Sequence, residues 1–425
     1  MKRRLVYCII LLQVISLRAF SQESTVKLTL KEVEERFAEQ NLELIAQKMN
    51  IDISEAQIQQ AKLWDNPSLS ISSLNLWSTK QQRQEVLMNG FPKNTQMSIE
   101  LSQLIQTANK RKKMKAMLLV SKDNTLYEFQ ETFNSLRSEL RITTYQMIYL
   151  QSYLQLLQKE LSTNQTLLNT YNKQVKAGNL SKTSFIRLEM ALFELENEIS
   201  QLKSEVLEKQ KYMKTLLNIT PTTEIEINMA DESGYVDPDK LNIVELINLA
   251  NTTRTDILQK NNNQYYNNKS LLYEKALKVP DVTFSVNYDK YGGIWKDYVG
   301  FGVSIDLPVF NRNQGNIKGS QLALYQSELL LKQQQSIASN EIYEAYSNYS
   351  KACEFYKKAK SSLSSSELDT MNQKYAENLL HKNINMVEYL DYLETYKTNK
   401  QIILIALRDV HLTFERLQYS VGIDL

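Results

Sequence analysis

The residue types that make catalysis are nearly missing from this chain. Its only histidines, His381 and His411, stand 30 residues apart, and of its two cysteines Cys8 falls in an apolar leader, which leaves Cys353 alone. No His-Glu-x-x-His pair, Gly-x-Ser-x-Gly turn or glycine-rich phosphate loop occurs. Carboxylates are plentiful but read as solvated faces of helices, so no acid–base pair stands out. The reading is not an enzyme, with no cofactor and no metal site.

What polar chemistry remains is that of a lining. Glu100, Ser304 and Asp306 fall on the polar side of alternating segments, where acids could ring a water-filled pore and favour cations. A lumen face is polar in any case, so these acids need carry no selectivity. The run KRKKMK, 110–115, could meet lipid head groups, although a solvated basic turn is the plainer reading.

The elements that hold these residues are mostly helical. In 425 residues there are only 10 Gly and 6 Pro, and 50 basic residues balance 48 acidic ones, which gives no whole-chain field suited to nucleic acid. Between Gln106 and Ala177, and again between Ser320 and Val421, there is no Gly or Pro at all. A 70-residue helix would reach roughly 100 Å. Leu136, Leu140, Thr143, Met147, Leu150, Leu154, Leu157, Leu161, Asn164, Leu168, Tyr171 and Val175 follow steps of four and three, and Phe185, Leu188, Leu192, Leu195, Ile199 and Leu202 resume them after Gly178. That pattern predicts an antiparallel coiled-coil hairpin, and Tyr389, Tyr396, Ala406, Val410 and Leu417 carry a second seam.

The N-terminus has a basic start at Lys2, Arg3 and Arg4, an apolar run too short to span a bilayer, and small residues Ala19 and Ser21; residues 1–21 read as a removable signal peptide. With one cysteine left in the exported chain, no intrachain disulfide is expected.

The chain also matches itself. A shift of 213 pairs Leu30 with Ile243, Val33 with Leu246, Leu44 with Ile257 and Pro67 with Pro280; a shift of 206 pairs SIEL (98–101) with SIDL (304–307); a shift of 204 pairs Tyr171 with Tyr375 and LLNI (216–219) with SVGI (420–423). Two repeats follow, 22–220 and 241–425, joined by a linker, 221–240. Each repeat reads as one helix of about 35 residues, two strands, and a helical hairpin. Val282, Phe284, Val286 and Tyr288 alternate with polar residues, as do Val299, Phe301, Val303, Ile305 and Leu307. Their length suits a tilted membrane strand. PSLSISSLNLW (67–77) slips phase at Ser72-Ser73, as a bulge would. Trp77, Tyr288, Tyr291, Trp295 and Tyr298 cluster at the hairpin ends like an aromatic girdle. Four strands leave two unpaired edges, which in lipid only partner chains can close.

YNKQVKAGNLSKTSFIRLEMAL (171–192) and VGFGVSIDLPVFNRNQGNI (299–317), in this duplicated order, resemble the TolC-like outer-membrane efflux family across nearly the whole exported chain. EYLDYLETY (388–396) resembles its metal-efflux branch. The resemblance implies an α+β membrane fold: a homotrimer forming a twelve-stranded β-barrel on a long α-helical coiled-coil tunnel through the periplasm, in the outer membrane of a Gram-negative bacterium. It further implies partners, a periplasmic adaptor and an inner-membrane efflux pump, met through gating tips at Gly178, Asn179, Leu180, Ser181, Lys382, Asn383, Ile384 and Asn385. Here the chain departs from the pattern, since Lys382 stands where Gly178 does and a positive backbone angle costs lysine more than glycine. The expected function is a passive exit duct for drugs, metal ions or other small toxic solutes. A type I protein-secretion duct and a secreted coiled-coil scaffold or adhesin are the alternatives.

Overall fold

The computed structural model describes residues 25–73, 96–228, 236–292, 295–362 and 365–425. The leader, Trp77 and Gly234 lie outside them. In chain order the elements are β1 (Thr25–Leu28), α1 (Leu30–Gln40), α2 (Leu42–Gln60), β2 (Ser68–Ser72), β3 (Ser98–Ile105), α3 (Lys110–Lys176), α4 (Lys182–Leu216), β4 (Glu224–Ile227), a 3-10 turn (Pro238–Lys240), α5 (Ile243–Thr253), α6 (Thr255–Leu277), β5 (Val282–Gly292), β6 (Trp295–Ile305), α7 (Gln314–Ser362), α8 (Ser365–Leu380) and α9 (Met386–Val421).

The duplication is visible in the backbone itself. α1 and α5 are 213 residues apart at both ends, and each ends on an extended residue, Asn41 (φ −67°, ψ 118°) or Arg254 (φ −67°, ψ 123°), before the next helix starts. The single long helix expected from Leu30 is therefore two. The reason is capping: the Asn41 N–H closes α1 on the Phe37 carbonyl, while its side chain accepts the Leu44 N–H at 2.9 Å and donates to the Leu216 carbonyl at 2.9 Å. Arg254 does the equivalent work by donating to the Ser420 carbonyl at 3.0 Å, and Leu216 and Ser420 are themselves 204 residues apart.

Contacts divide the chain into two compact units that cut across the repeats, because each repeat contributes to both. The first unit, residues 1–47, 129–255 and 335–425, is helical with one small sheet. Leu140, Met147, Leu157, Leu188, Met213 and Leu217 are fully buried seam residues, and Ile342, Val410, Leu417 and Val421 form the matching core of the second repeat. Within the stretch expected as a linker, 221–240, residues 224–227 form β4, which pairs in parallel with β1 and buries Ile225 and Ile227. Four residues of Glu-Ile-Glu-Ile are too short to stand out as a strand until a partner is known. In the second repeat α7 is helical to Ser362 and α8 from Ser365, with the residues between them outside those described.

An Arg141 ion cluster ties this unit together. Its guanidinium reaches Glu34 on α1, Glu415 on α9 at 3.3 Å and Asp424 at 2.8 Å, while Arg137 forks onto Asp424 with two 3.2 Å bonds. Burial pushes the Glu415 carboxyl up despite the opposing charge of Arg141. Nearby, His411 lies buried and stacked on Tyr145 at 4.4 Å, and burial alone lowers its pKa to about 4. A histidine kept neutral stabilises the fold above its unfolded value near 6.5, and that contribution is lost as pH falls through about 4. His411→Phe, which keeps the stack, is expected to flatten the acid side of the thermal-stability profile between pH 6.5 and 4, where the native chain loses roughly 2–3 kcal/mol. A thermal melt series over that range checks it.

The second unit, residues 48–128 and 256–334, carries a four-stranded antiparallel sheet in the order β2-β3-β5-β6. Its helices run in the same order. Lys122 of α3 pairs with Glu55 of α2 at 2.5 Å, Asn262 of α6 donates to Asn124 of α3 at 2.8 Å, and Asn267 of α6 donates to the Ala323 carbonyl of α7 at 3.4 Å. The expected bulge at Ser72-Ser73 is instead a strand end: pairing stops at Ser72, and Ser73 turns to φ 57°.

Candidate functional site

Two surfaces answer to the residues singled out in the sequence: the hairpin tips of the helical unit and the two faces of the sheet. Each is positioned by local chemistry that the duplication repeats.

At the first tip, the Gly178 N–H donates to the Val175 carbonyl at 3.0 Å and the Asn179 N–H to the Gln174 carbonyl at 2.9 Å. At the second, the Lys382 N–H donates to Leu379 at 3.1 Å and the Asn383 N–H to Asn378 at 2.9 Å. Both asparagine side chains then hold the residue five earlier, at 2.9 and 3.1 Å. The backbone angles agree as well, φ 78° at Gly178 and φ 64° at Lys382. The lysine therefore leaves the turn unchanged, and what offsets its strain is a better cap. Asn385 accepts N–H bonds from Val387 (2.9 Å) and Glu388 (3.0 Å) while Glu388 accepts from the Asn385 N–H, whereas Ser181 accepts only the Thr183 N–H at 3.2 Å.

A pair of substitutions with opposite signs follows. A Cβ at Gly178 would meet nothing within 4 Å, so Gly178→Ala should cost only the backbone term, about 1 kcal/mol. Lys382→Gly should be neutral or stabilising by up to about 1 kcal/mol, for the same reason. Local hydrogen exchange at the two turns reads both.

Leu180 and Ile384 turn inward, onto one apolar cluster of Leu167, Tyr171, Leu188, Leu379, Met386 and Tyr389. The two tips are thus packed together. Gly178, Asn179, Ser181, Lys382, Asn383 and Asn385 stay exposed and remain available to a partner. Behind them lies a polar link the sequence reading did not find. Tyr389 donates its hydroxyl to the fully buried Asn164 side chain at 2.6 Å, and Asn372 donates to Glu160 at 2.9 Å, joining the two hairpins. Burial pushes the Glu160 carboxyl up. The signal was present as an asparagine in an otherwise leucine-rich seam.

Two of the three acids of 388–396 are occupied locally, Glu388 in the cap and Glu394 with Lys397 at 2.8 Å, while Tyr396 donates to Asp369 at 2.7 Å. Among the described residues no group of three His, Cys, Asp or Glu side chains could hold a metal ion.

In the sheet, register sorts the side chains into rows. Leu69, Leu101, Val286 and Phe301 lie side by side, as do Ile71, Ile99, Tyr288 and Val299, and every member of the first row is an exposed large apolar residue. Phe301 is 71% exposed and Leu307 74%. The opposite face presents Ser68, Ser102, Ser285 and Gly302 in one row and Ser70, Glu100, Asn287 and Gly300 in the next. Ser304 shares this polar face, opposite Thr283. Glu100 and Asp306 are not brought together. Glu100 shares a row with Gly300, whereas Asp306 lies beyond the last paired residue, Ile305, about 20 Å further along the strand direction. A chain with an exposed apolar sheet face, a small-residue polar face and two open edges defines a membrane β-element borne on helices. Among the described residues no helix is long and apolar enough to cross a membrane.

Comparison with known proteins agrees. Residues 35–218 match the family model described as outer membrane efflux protein. Over that stretch, a little under half of its length, the chain is similar to the outer membrane efflux protein family. CusC, crystallised in a study of folding and transmembrane channel formation, superposes with a TM-score of 0.72 at 16% identity over 95% of both chains. The outer membrane channel CmeC of Campylobacter jejuni gives 0.71 at 12% identity, over 95% of this chain and 90% of its own. VceC, an outer membrane protein of Vibrio cholerae, gives 0.70 at 12% identity, over 92% and 96%. No curated protein matches in sequence.

Proposed function

We propose that this protein is the outer-membrane exit duct of a tripartite efflux system, passive in itself and coupled through a periplasmic adaptor to an inner-membrane pump. The observation that carries this reading is the pair of open edges on a sheet with one apolar and one polar face. Among the described residues β2 and β6 each lack a neighbour on one side, and in lipid each unmet backbone group costs several kcal/mol. The flanking helices are open in the same sense, with Met49 and Ile53 exposed on α2 and Leu322, Tyr325 and Leu329 exposed on α7. Joining the β2–α2 side of one copy to the β6–α7 side of the next satisfies both at once and, being head to tail, closes a ring. Two copies would give eight strands, a barrel whose interior side chains fill; three give twelve, the smallest closed assembly that leaves a lumen.

In that trimer the polar rows with Glu100 and Ser304 would line the pore, and the long hairpins would extend the duct through the periplasm. The tips Gly178–Ser181 and Lys382–Asn385 would shift when the adaptor engages them. Energy comes from the pump, since no nucleotide-binding loop is present in the sequence. Small toxic solutes, drugs or metal ions are the cargo class. Photo-crosslinkers placed across 175–187 and 378–390 in living cells test the docking: capture of the adaptor at exposed tip positions and not at the inward Leu180 and Ile384 is the expected result. Capture nowhere along either stretch would remove the tips from this role.

A further inference from the structure

The end of the sheet that meets the helices is rich in basic residues. Four segments converge there, 61–67, 106–113, 277–281 and 306–313, and together they hold seven Lys or Arg against three Asp. Local bonds hold them in place. Thr107 donates its N–H to Asp281 at 2.8 Å, Lys110 pairs with the same carboxylate at 2.7 Å, and Gln106 donates to Asp65 at 3.0 Å. Two of the three acids are therefore engaged by neighbours. Lys62, Lys112, Lys278 and Arg312 stay exposed. The described residues of the β5–β6 turn region show no such excess, since Asp289 and Asp297 there balance Lys290 and Lys296.

Among the cations stand large apolar side chains that remain exposed. Trp64 is exposed while the Arg111 guanidinium lies over its ring, 3.8 Å from the centroid, and Phe310 is 93% exposed beside Arg312. Among the described residues Arg111 Nη1 finds no acceptor. Water suits the cations and hydrocarbon suits the rings, and the interface of a bilayer offers both within a few ångströms.

We propose that this belt is a binding surface for anionic phospholipid head groups in the leaflet on the helix side of the sheet, with the phosphodiester between Arg111, Lys112 and Arg312 and the upper acyl chain against Trp64 and Phe310. It rests on the reading of the sheet as membrane-embedded. Its consequence is an orientation device. The cationic end holds the sheet at a fixed depth.

The test uses the purified full-chain oligomer in detergent, offered equal amounts of phosphatidylglycerol and phosphatidylcholine, with retained lipids counted by native mass spectrometry. Phosphatidylglycerol is expected to be retained at least tenfold over phosphatidylcholine, to lose that preference in 0.5 M salt, and to resist displacement by inorganic phosphate. The combined Arg111→Gln, Lys112→Gln and Arg312→Gln variant should bring the two lipids to parity at unchanged oligomer mass. Equal retention of both lipids by the native protein overturns the proposal, as does an unchanged preference in the variant. Displacement by inorganic phosphate overturns it in favour of a free-anion site. Retention of neither lipid overturns the membrane reading beneath it.

Discussion

Phe301→Arg is expected to abolish the appearance of an oligomer in the outer-membrane fraction, and Ser304→Arg, three residues away on the same strand, is expected not to. Phe301 sits mid-strand in β6, in the row with Leu69, Leu101 and Val286, and its ring contacts that of Phe284 at a 6.2 Å centroid distance. In lipid an arginine near the midplane costs about 2–4 kcal/mol per site, and a closed assembly repeats that cost in every protomer. Ser304 belongs to the other face, opposite Thr283, where an arginine meets water. Val303→Asp should behave as Phe301→Arg does. Outer-membrane fractionation and unheated gel electrophoresis read all three. Equal tolerance at 301, 303 and 304 would contradict the assignment of the faces.

Arg141→Met destabilises the helical unit by about 3–5 kcal/mol, because it leaves Glu415, almost wholly buried, without its counter-charge beside Glu34 and Asp424. Glu415 is already pushed up by burial, and losing the arginine raises it further. A carboxyl whose folded pKa exceeds its unfolded value favours the folded state below that unfolded value and loses this advantage as pH rises through the folded one. The deficit of Arg141→Met should therefore be larger at pH 8 than at pH 5. Adding Glu415→Leu removes the stranded charge and should recover most of the loss, which thermal melts of the two variants at both pH values would show. Equal deficits at both pH values would contradict the account of Glu415.

Much of the fold was legible from the sequence because long periodic elements leave long signals. Of the twelve seam residues from Leu136 to Val175 seven are buried and five half-buried, and the shift of 213 lands on helix boundaries. What escaped reading was decided by partners distant in sequence. β1 and β4 are four residues each and become strands only against one another, nearly 200 residues apart. Asn41 looked like one more polar residue in a helix until the Leu216 carbonyl was placed beside it. Arg141 gathers Glu34, Glu415 and Asp424 from three parts of the chain, a grouping no spacing rule reveals. At the tips the turn positions were readable, while the equivalence of Lys382 to Gly178 was not, since the Asn385–Glu388 cap that offsets it lies three residues on. The resemblance of strand sequences also misled in one place: SIEL and SIDL align, yet their acids stand at different heights in the sheet.

Ring closure through the two open edges is the central claim, and cysteine pairing tests it most directly. With the buried Cys353 replaced by Ser, single cysteines on β2 at 68–72 are combined with single cysteines on β6 at 297–303, and disulfide formation is followed in isolated outer membranes. Closure predicts that pairs at one register give covalent dimers and trimers and nothing larger. Absence of any crosslink at every register, or a ladder continuing beyond three chains, would contradict it.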